Sequence, residues 1–310
     1  MTATALLPEL AARAEGIAHT RAPACSCEAT GVLADRPDGT VVRHADTVAK
    51  AHAPDADAAG LTRRLALASR HPDVLLPPLG PAPADLRGRL VTFWPYGSPV
   101  DPDDPGAAPW EAVGTLLARL HRTPVPESAP VMRGPLKAAR AVAGLRAVGD
   151  HPAAAPVRDA WAALPAWARA QAPMPGPAAL CHGDLHLGQL VRTPGAPWRL
   201  IDVDDLGSGT PAWDLGRPAA WFACGLLAPR DWERFLDAYR AAGGPALDAA
   251  GDPWTVLDVP ARALTVQTAA RTVTKAVADG RPLDEVDHAL VDACRRMAAV
   301  PVGPAHESTK

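Results

Sequence analysis

Short apolar runs interspersed with polar residues over 25–34, 40–44 and 47–52 read as three strands, the first two joined by the turn Arg36-Pro37-Asp38-Gly39. Ahead of them, residues 5–18 place Leu6, Leu10 and Ile17 on one side of a short amphipathic helix. A helix follows at 57–70, then a strand at 89–94 that Pro95-Tyr96-Gly97 ends, then a loop over 98–109 rich in Pro and Asp. From there the period becomes helical. Segments 111–121, 136–148, 157–171, 218–227, 231–242, 262–278 and 283–298 read as helices separated by proline-rich breaks, with one short strand at 198–201. The pattern suits a small N-terminal sheet followed by a larger helical region.

Composition narrows the class. The chain has 310 residues, 48% of them hydrophobic, enough for a sizeable core and for two lobes. Its formal charge is −3, without a basic block and with few Tyr or Phe, which argues against a nucleic-acid partner and favours a small molecule. The first residues lack the basic start and apolar core of a secretory signal, and no run approaches a membrane span, so the expected location is cytoplasmic. Five cysteines, at 25, 27, 181, 224 and 294, match neither a disulfide framework nor a zinc-knuckle spacing. Cys25-x-Cys27 reads as strand with both thiols on one face.

The stretch from Cys181 to Leu215 carries the chemistry. It places Asp184 after a His-Gly pair, an amide five residues later at Gln189, and a cluster of Asp202, Asp204 and Asp205 after a short apolar run. Moving a phosphoryl group to a hydroxyl requires a group that orients the acceptor and hard oxygen ligands for Mg²⁺, and carboxylates and carboxamides supply both. Gly183 and Gly188 interrupt helical continuity around Asp184, so a loop is expected there. Strand alternation through 198–201 would send Asp202 and Asp204 to the same face and Asp205 to the other. His182 and His186, four apart, also have the spacing of zinc ligands on a helix, but Gly183 disfavours that helix and the accompanying Glu is missing.

His182-Gly183-Asp184-Leu185-His186-Leu187-Gly188-Gln189 resembles the HGDxHxxN catalytic loop of the aminoglycoside phosphotransferase family, small-molecule relatives of protein kinases. Ile201-Asp202 is similar to the family's metal-binding Asp, and Gly209-Thr210-Pro211-Ala212-Trp213-Asp214-Leu215 to the run that closes the block. Gln189 stands where most of the family has Asn, a wording that looks like the maltokinase and glucosamine kinase branch.

The resemblance implies an α+β, bilobal, protein-kinase-like fold: a small antiparallel sheet lobe over residues 1–97 that binds nucleotide and ends at a hinge, and a mainly helical lobe over 98–310 with the catalytic loop and acceptor site. It implies transfer of the γ-phosphoryl of ATP, with GTP as the other candidate donor, to a hydroxyl of a sugar, amino sugar or aminoglycoside-type antibiotic. Asp184 would orient the acceptor. Gln189 and Asp202 would hold Mg²⁺, with Asp204 as a candidate second ligand, and Asp214 would be structural. Val48-Ala49-Lys50 is similar to the family's V-A-K strand, so Lys50, together with His186, would steady the phosphates. The family's Gly-rich loop is missing between the first two strands, and the helix at 57–70 has no Glu, leaving Asp55 or Asp57 as the nearby acids for Lys50. Those two gaps motivate an alternative, a nucleotide-binding pseudokinase with a regulatory role.

Overall fold

The computed structural model describes residues 6–22, 25, 27, 29–36 and 38–300. The chain falls into two compact units, one made of the chain up to Ala108 with Glu127–Pro130 and Leu187–Asp204, the other of Pro109–Pro126, Val131–His186 and everything from Asp205 onward. The first unit is therefore discontinuous: the chain returns to it twice after Ala108, the second time with the segment that holds Gln189, Asp202 and Asp204.

In the first unit, α1 (Leu6–Arg21) precedes β1 (Gly31–Arg36), β2 (Gly39–His44) and β3 (Thr47–His52), then α2 (Ala58–Arg70), β4 (Ala84–Leu86) and β5 (Arg89–Pro95). The strands form an antiparallel sheet in the order β1-β2-β3-β5-β4. One sheet face buries Val42, Ala49, Ala51 and Val91 against Leu10 and Ala14 of α1. Because Cβ atoms alternate along a strand, Lys50 and His52 leave by the opposite face, where Lys50 lies across from Thr92 of β5. α2 begins where Asp57 accepts from the Ala59 and Gly60 amides, the N-cap geometry that satisfies otherwise orphaned donors. A three-stranded ribbon of Ser98–Pro99, Leu190–Arg192 and Trp198–Leu200 completes the unit, and the Leu76 amide donates to the Leu200 carbonyl at 2.9 Å.

β1 begins at Gly31, six residues later than the sequence pattern predicts, and Cys25 and Cys27 lie before it. Cys27 and Ala29 both have φ of +55°, left-handed backbone that an extended strand does not use, so the two thiols do not share a strand face. Residues 26 and 28 of that predicted strand, Pro37 of the predicted turn, residue 5 of the first helix and residues 301–310 lie outside the described residues.

The second unit contains α3 (Trp110–His121), α4 (Gly134–Gly144), α5 (Ala154–Ala162), α6 (Ala212–Ala223), α7 (Pro229–Ala241), α8 (Trp254–Ala278) and α9 (Glu285–Ala298), with a two-stranded ribbon of Ala179–Cys181 and Gly207–Gly209. α8 is the central helix, packed against α4, α5, α6 and α9, and α3 packs against α7. Two apolar clusters fill it, one around Leu145, Val157, Val266, Val273, Leu290 and Val291, the other around Met132, Leu164, Trp213 and Leu264.

Three helix boundaries differ from the sequence pattern by six residues or more. α5 stops at Ala162 rather than running to 171, because Pro165 removes a donor and excludes helical geometry just before it. α6 starts at Ala212 and carries Pro218 inside it rather than at its first turn; its buried residues, among them Trp213, Leu215, Ala219 and Ala220, make the extra turn and a half worth forming against α8. α8 likewise extends back to Trp254 through Pro260. None of the helices is long and apolar enough to cross a membrane among the described residues.

Candidate active site

Of the loop His182–Gln189, residues up to His186 lie in the second unit and Leu187–Gln189 in the first. The loop follows the strand Ala179–Cys181 and turns at Gly183, whose φ of +87° is left-handed; a Cβ there would sit 2.5 Å from the Asp205 carbonyl oxygen, so the position demands glycine twice over. Asp214, 1% exposed in α6, accepts from the His182 amide at 2.6 Å and the Gly183 amide at 2.7 Å, which fixes the loop backbone. His121 supports Asp214 in turn: its Nε2 lies 3.0 Å from Asp214 Oδ2 and its Nδ1 lies 2.9 Å from the Tyr239 hydroxyl. That hydroxyl also accepts from the Ala246 amide. Its own hydrogen therefore goes to Nδ1, and a neutral His121 ring carries its proton on Nε2, facing the carboxylate.

Asp184, 8% exposed, is held from two sides. Lys137 Nζ of α4 lies 2.6 Å from Oδ2, and Arg217 Nη2 of α6 lies 2.9 Å from Oδ1. Arg217 also donates to the Leu185 carbonyl and to Thr268 Oγ1, so its guanidinium is a fixed fork. Lys137 bridges to Asp205 Oδ2 at 2.8 Å. Burial pushes the Asp184 carboxyl up, but Lys137 and Arg217, with a smaller contribution from His186, outweigh it and hold the pKa at about 2. Burial lowers the Arg217 pKa, while the Asp184 carboxylate opposes that shift.

A second cluster lies in the first unit, on the sheet face opposite α1. Lys50 Nζ is 2.7 Å from Asp202 Oδ1 and 2.9 Å from Asp204 Oδ2. Burial draws the lysine pKa down and the two carboxylates more than reverse it, so Lys50 stays an ammonium. His52 Nδ1 stands 3.0 Å from Asp204 Oδ1, and its Nε2 lies 2.7 Å from Thr92 Oγ1, which accepts from the Trp94 indole at 2.8 Å. Since an indole only donates, the threonine hydrogen is left for Nε2, and a neutral His52 presents Nδ1–H to Asp204. Burial raises the Asp204 pKa, but Lys50 and His52 together bring it well below the ordinary range.

Asp202 and Asp204 do converge, but not by strand alternation. The strand ends at Leu200, Asp202 takes a left-handed φ of +64°, and residues 203–205 form a single 3-10 turn. That turn separates Asp205 from its neighbours and sends it to Lys137. The acids beside Lys50 are thus Asp202 and Asp204; Asp57, a sequence-based candidate for that partner, caps α2 instead.

Gln189 closes a short 3-10 turn, and its Nε2 donates to Asp202 Oδ2 at 3.3 Å. An amide and a carboxylate therefore meet at one point, and a half turn of the amide presents its oxygen there. The two offer hard oxygen donors in too small a number to enclose an ion, the donor set that Mg²⁺ shares with phosphates and water. The residues present fit that ion. Asp204, by contrast, has both oxygens beside cationic or ring nitrogen partners in Lys50 and His52.

Sequence reasoning missed Lys137, Arg217, His52 and His121. Arg217 stands three residues after Asp214, His52 two residues after Lys50, and His121 closes the Leu117-Ala118-Arg119-Leu120-His121 end of α3; Lys137 lies in α4 without a local signature.

Residues 32–254 match the model of the phosphotransferase enzyme family, described as APH. None of the curated proteins matches the chain in sequence. Among solved structures, it is similar to a choline/ethanolamine kinase family protein from Mesorhizobium loti, at 18% identity and a TM-score of 0.54, over 92% of this chain and 93% of that one. It is also similar to macrolide 2'-phosphotransferase MphH from Brachybacterium faecium, at 20% identity and a TM-score of 0.50, over 96% of this chain and 100% of that one. A third is a thermostable mutant of aminoglycoside phosphotransferase APH(4)-Ia in ternary complex with AMP-PNP and hygromycin B, at 14% identity and a TM-score of 0.54, over 95% of this chain and 99% of that one. The shared architecture is the protein-kinase-like α+β fold.

Proposed function

The chain belongs to the phosphotransferase enzyme family, and from that premise we propose that it moves the γ-phosphoryl group of ATP to a hydroxyl of a small molecule. The observation that carries this reading is the 2.7 Å ion pair between Lys50 and Asp202, residues 152 apart in sequence. It joins the two motif positions that a kinase-like site uses for phosphate and metal.

In the reaction the bond between the γ-phosphorus and the β–γ bridging oxygen breaks, a bond forms to the acceptor oxygen, and the acceptor proton is released. Lys50, which keeps its charge, contributes a cation to the phosphates. Gln189 and Asp202 are the residues that would hold Mg²⁺, which when bound neutralises phosphate charge and orients the transferred group. Asp204 fixes Lys50 from the other side. His186, beside Asp184 in the loop, is the second candidate for a phosphate contact.

Asp184 orients the acceptor hydroxyl by accepting its hydrogen bond. With a pKa of about 2 it has little affinity for a proton at neutral pH, so it acts by positioning more than by storing the proton. A loose phosphoryl transition state asks for little more, since the attacking oxygen develops little charge before the leaving bond has weakened. Asp214 acts through the loop backbone that carries Asp184 and does not touch the reacting atoms.

The similar structures are named for choline or ethanolamine, macrolide and aminoglycoside chemistry, so one fold serves several acceptors. The wording HGDLHLGQ supports a sugar or amino sugar here. Few acids occur between 122 and 177, which weighs against a highly cationic acceptor, because opposite charge would steer and hold one.

The test is ADP release from ATP and Mg²⁺ across free sugars, amino sugars, macrolides and aminoglycosides, with Asp184→Asn as control. Release that requires one acceptor and falls by about a thousandfold in the variant, with nucleotide binding retained, is the expected result. A folded chain that binds no nucleotide in the presence of Mg²⁺ overturns the reading.

A further inference from the structure

Far from the motif residues in sequence, the end of α1, the linker after it and the end of β2 bring four metal-ligand side chains together. His19 lies in the last turns of α1, Cys25 and Cys27 in the linker, and His44 is the last residue of β2. One ligand atom from each, four in all, lie within 4.8 Å of one another. His19 Nε2 is 3.2 Å from Cys27 Sγ, and Cys25 Sγ is 3.7 Å from His44 Nε2. A tetrahedral zinc with bonds of about 2.3 Å to sulfur and about 2.0–2.1 Å to nitrogen sets ligand-to-ligand edges of roughly 3.3–3.8 Å. The two edges, 3.2 and 3.7 Å, fall at or near that interval.

The surroundings are arranged as an outer shell would be. His44 Nδ1 stands 3.3 Å from Thr30 Oγ1, and that hydroxyl donates to the Cys27 carbonyl at 3.3 Å. The threonine hydrogen is therefore committed, its oxygen accepts from Nδ1–H, and Nε2 is left with its lone pair toward the two sulfurs. The Cys27 amide donates to Cys25 Sγ at 3.4 Å, a bond that suits a thiolate. The two imidazoles stand edge to face, with centroids 5.2 Å apart and planes at 84°, so neither ring blocks the other's nitrogen.

We infer that His19, Cys25, Cys27 and His44 form a Cys₂His₂ site for a zinc ion that ties α1 and its linker to the sheet of the first unit. Two thiolates and two imidazoles in a tetrahedral outline select zinc over magnesium or calcium, which take oxygen. The ion would cross-link three chain segments and stabilise that unit in proportion to its free concentration over its dissociation constant.

The test uses the full chain purified under reducing conditions and stripped of metal. Titration with Co²⁺ should give one equivalent per chain with the intense ligand-field bands and sulfur charge-transfer absorption of a tetrahedral thiolate site, and Zn²⁺ should displace it. Cys25→Ser/Cys27→Ser should abolish the bands, Thr30→Val should weaken binding about tenfold to a hundredfold, and Cys224→Ser, outside the cluster, should change nothing. Added Zn²⁺ should raise the melting temperature of the native chain and leave the double variant unmoved. A native spectrum without sulfur charge transfer, or equal uptake by the double variant, overturns the proposal. The native spectrum decides sulfur ligation by itself, so the result does not depend on how well the variants fold.

Discussion

At the scale of single residues, the loop motif named Asp184, but the cations that hold it come from elsewhere. Lys137 and Arg217 sit on α4 and α6, and no local pattern marks either as a partner of the loop. His52 and His121 stand in or beside local motifs, but their partners do not: each belongs to a hydrogen-bond chain whose members are scattered along the sequence. Their roles depend on which side chains meet, and a single sequence does not record meetings. Lys137 offers the sharpest test. Lys137→Met removes the cation shared by Asp184 and Asp205, leaving Arg217 as the direct ion-pair partner of an Asp184 that is freer to move. Turnover is expected to drop on the order of a hundredfold through loss of position, with the KM for nucleotide nearly unchanged, because Lys50 and Asp202 are untouched. Steady-state kinetics separates the two effects; a change confined to the nucleotide KM would place Lys137 in a different role.

At the scale of elements, strands β2, β3 and β5 and most helices were legible because period-two and period-3.6 burial follow from backbone geometry alone. The misplaced boundaries fall where tertiary packing competes with local preference. Pro218 and Pro260 read as helix starts or breaks, yet both lie inside helices, and Gly216 of α6 approaches Pro260 of α8 so closely that a Cβ would be 2.7 Å from the Pro260 Cβ. The contact between α3 and α7 depends on a glycine in the same way. A Cβ on Gly114 would collide with the Phe235 carbonyl and lie 2.9 Å from the Tyr239 amide nitrogen. Although alanine is the better helix former, Gly114→Ala is expected to destabilise the chain by about 1–3 kcal/mol, since the clash is with backbone and cannot be relieved by a rotamer change. Urea unfolding followed by circular dichroism measures it, and a stabilised variant would mean that the helices separate easily.

At the scale of the whole molecule, the ion pairs around the candidate site couple stability to pH. Asp184 has a folded-state pKa of about 2, below its ordinary unfolded value near 3.9. A depressed carboxylate contributes stability that is present above the unfolded pKa and lost as pH falls through the folded one. Asp184 alone is expected to remove about 2 kcal/mol between pH 5 and pH 2, and Asp204, also depressed, acts in the same direction. Chemical denaturation at a series of pH values should show this decline, and Asp184→Asn should flatten part of it. A decline of equal steepness in the variant would assign the acid sensitivity to other groups.

The amino-acid sequence by itself determined strands β2, β3 and β5, the succession of helices, the loop that carries Asp184 and the place of Asp202 after a short strand, because these depend on local periodicity and on motifs closed within a few residues. Only the tertiary structure decided how Asp202 and Asp204 come to face Lys50, through a left-handed residue and a 3-10 turn in place of strand alternation. It likewise decided which cations clamp Asp184 and that His19 and His44 stand beside Cys25 and Cys27. Each of these rests on side chains from separate segments meeting across packed elements, and such meetings are set by the burial of apolar faces along the whole chain rather than by the residues that meet.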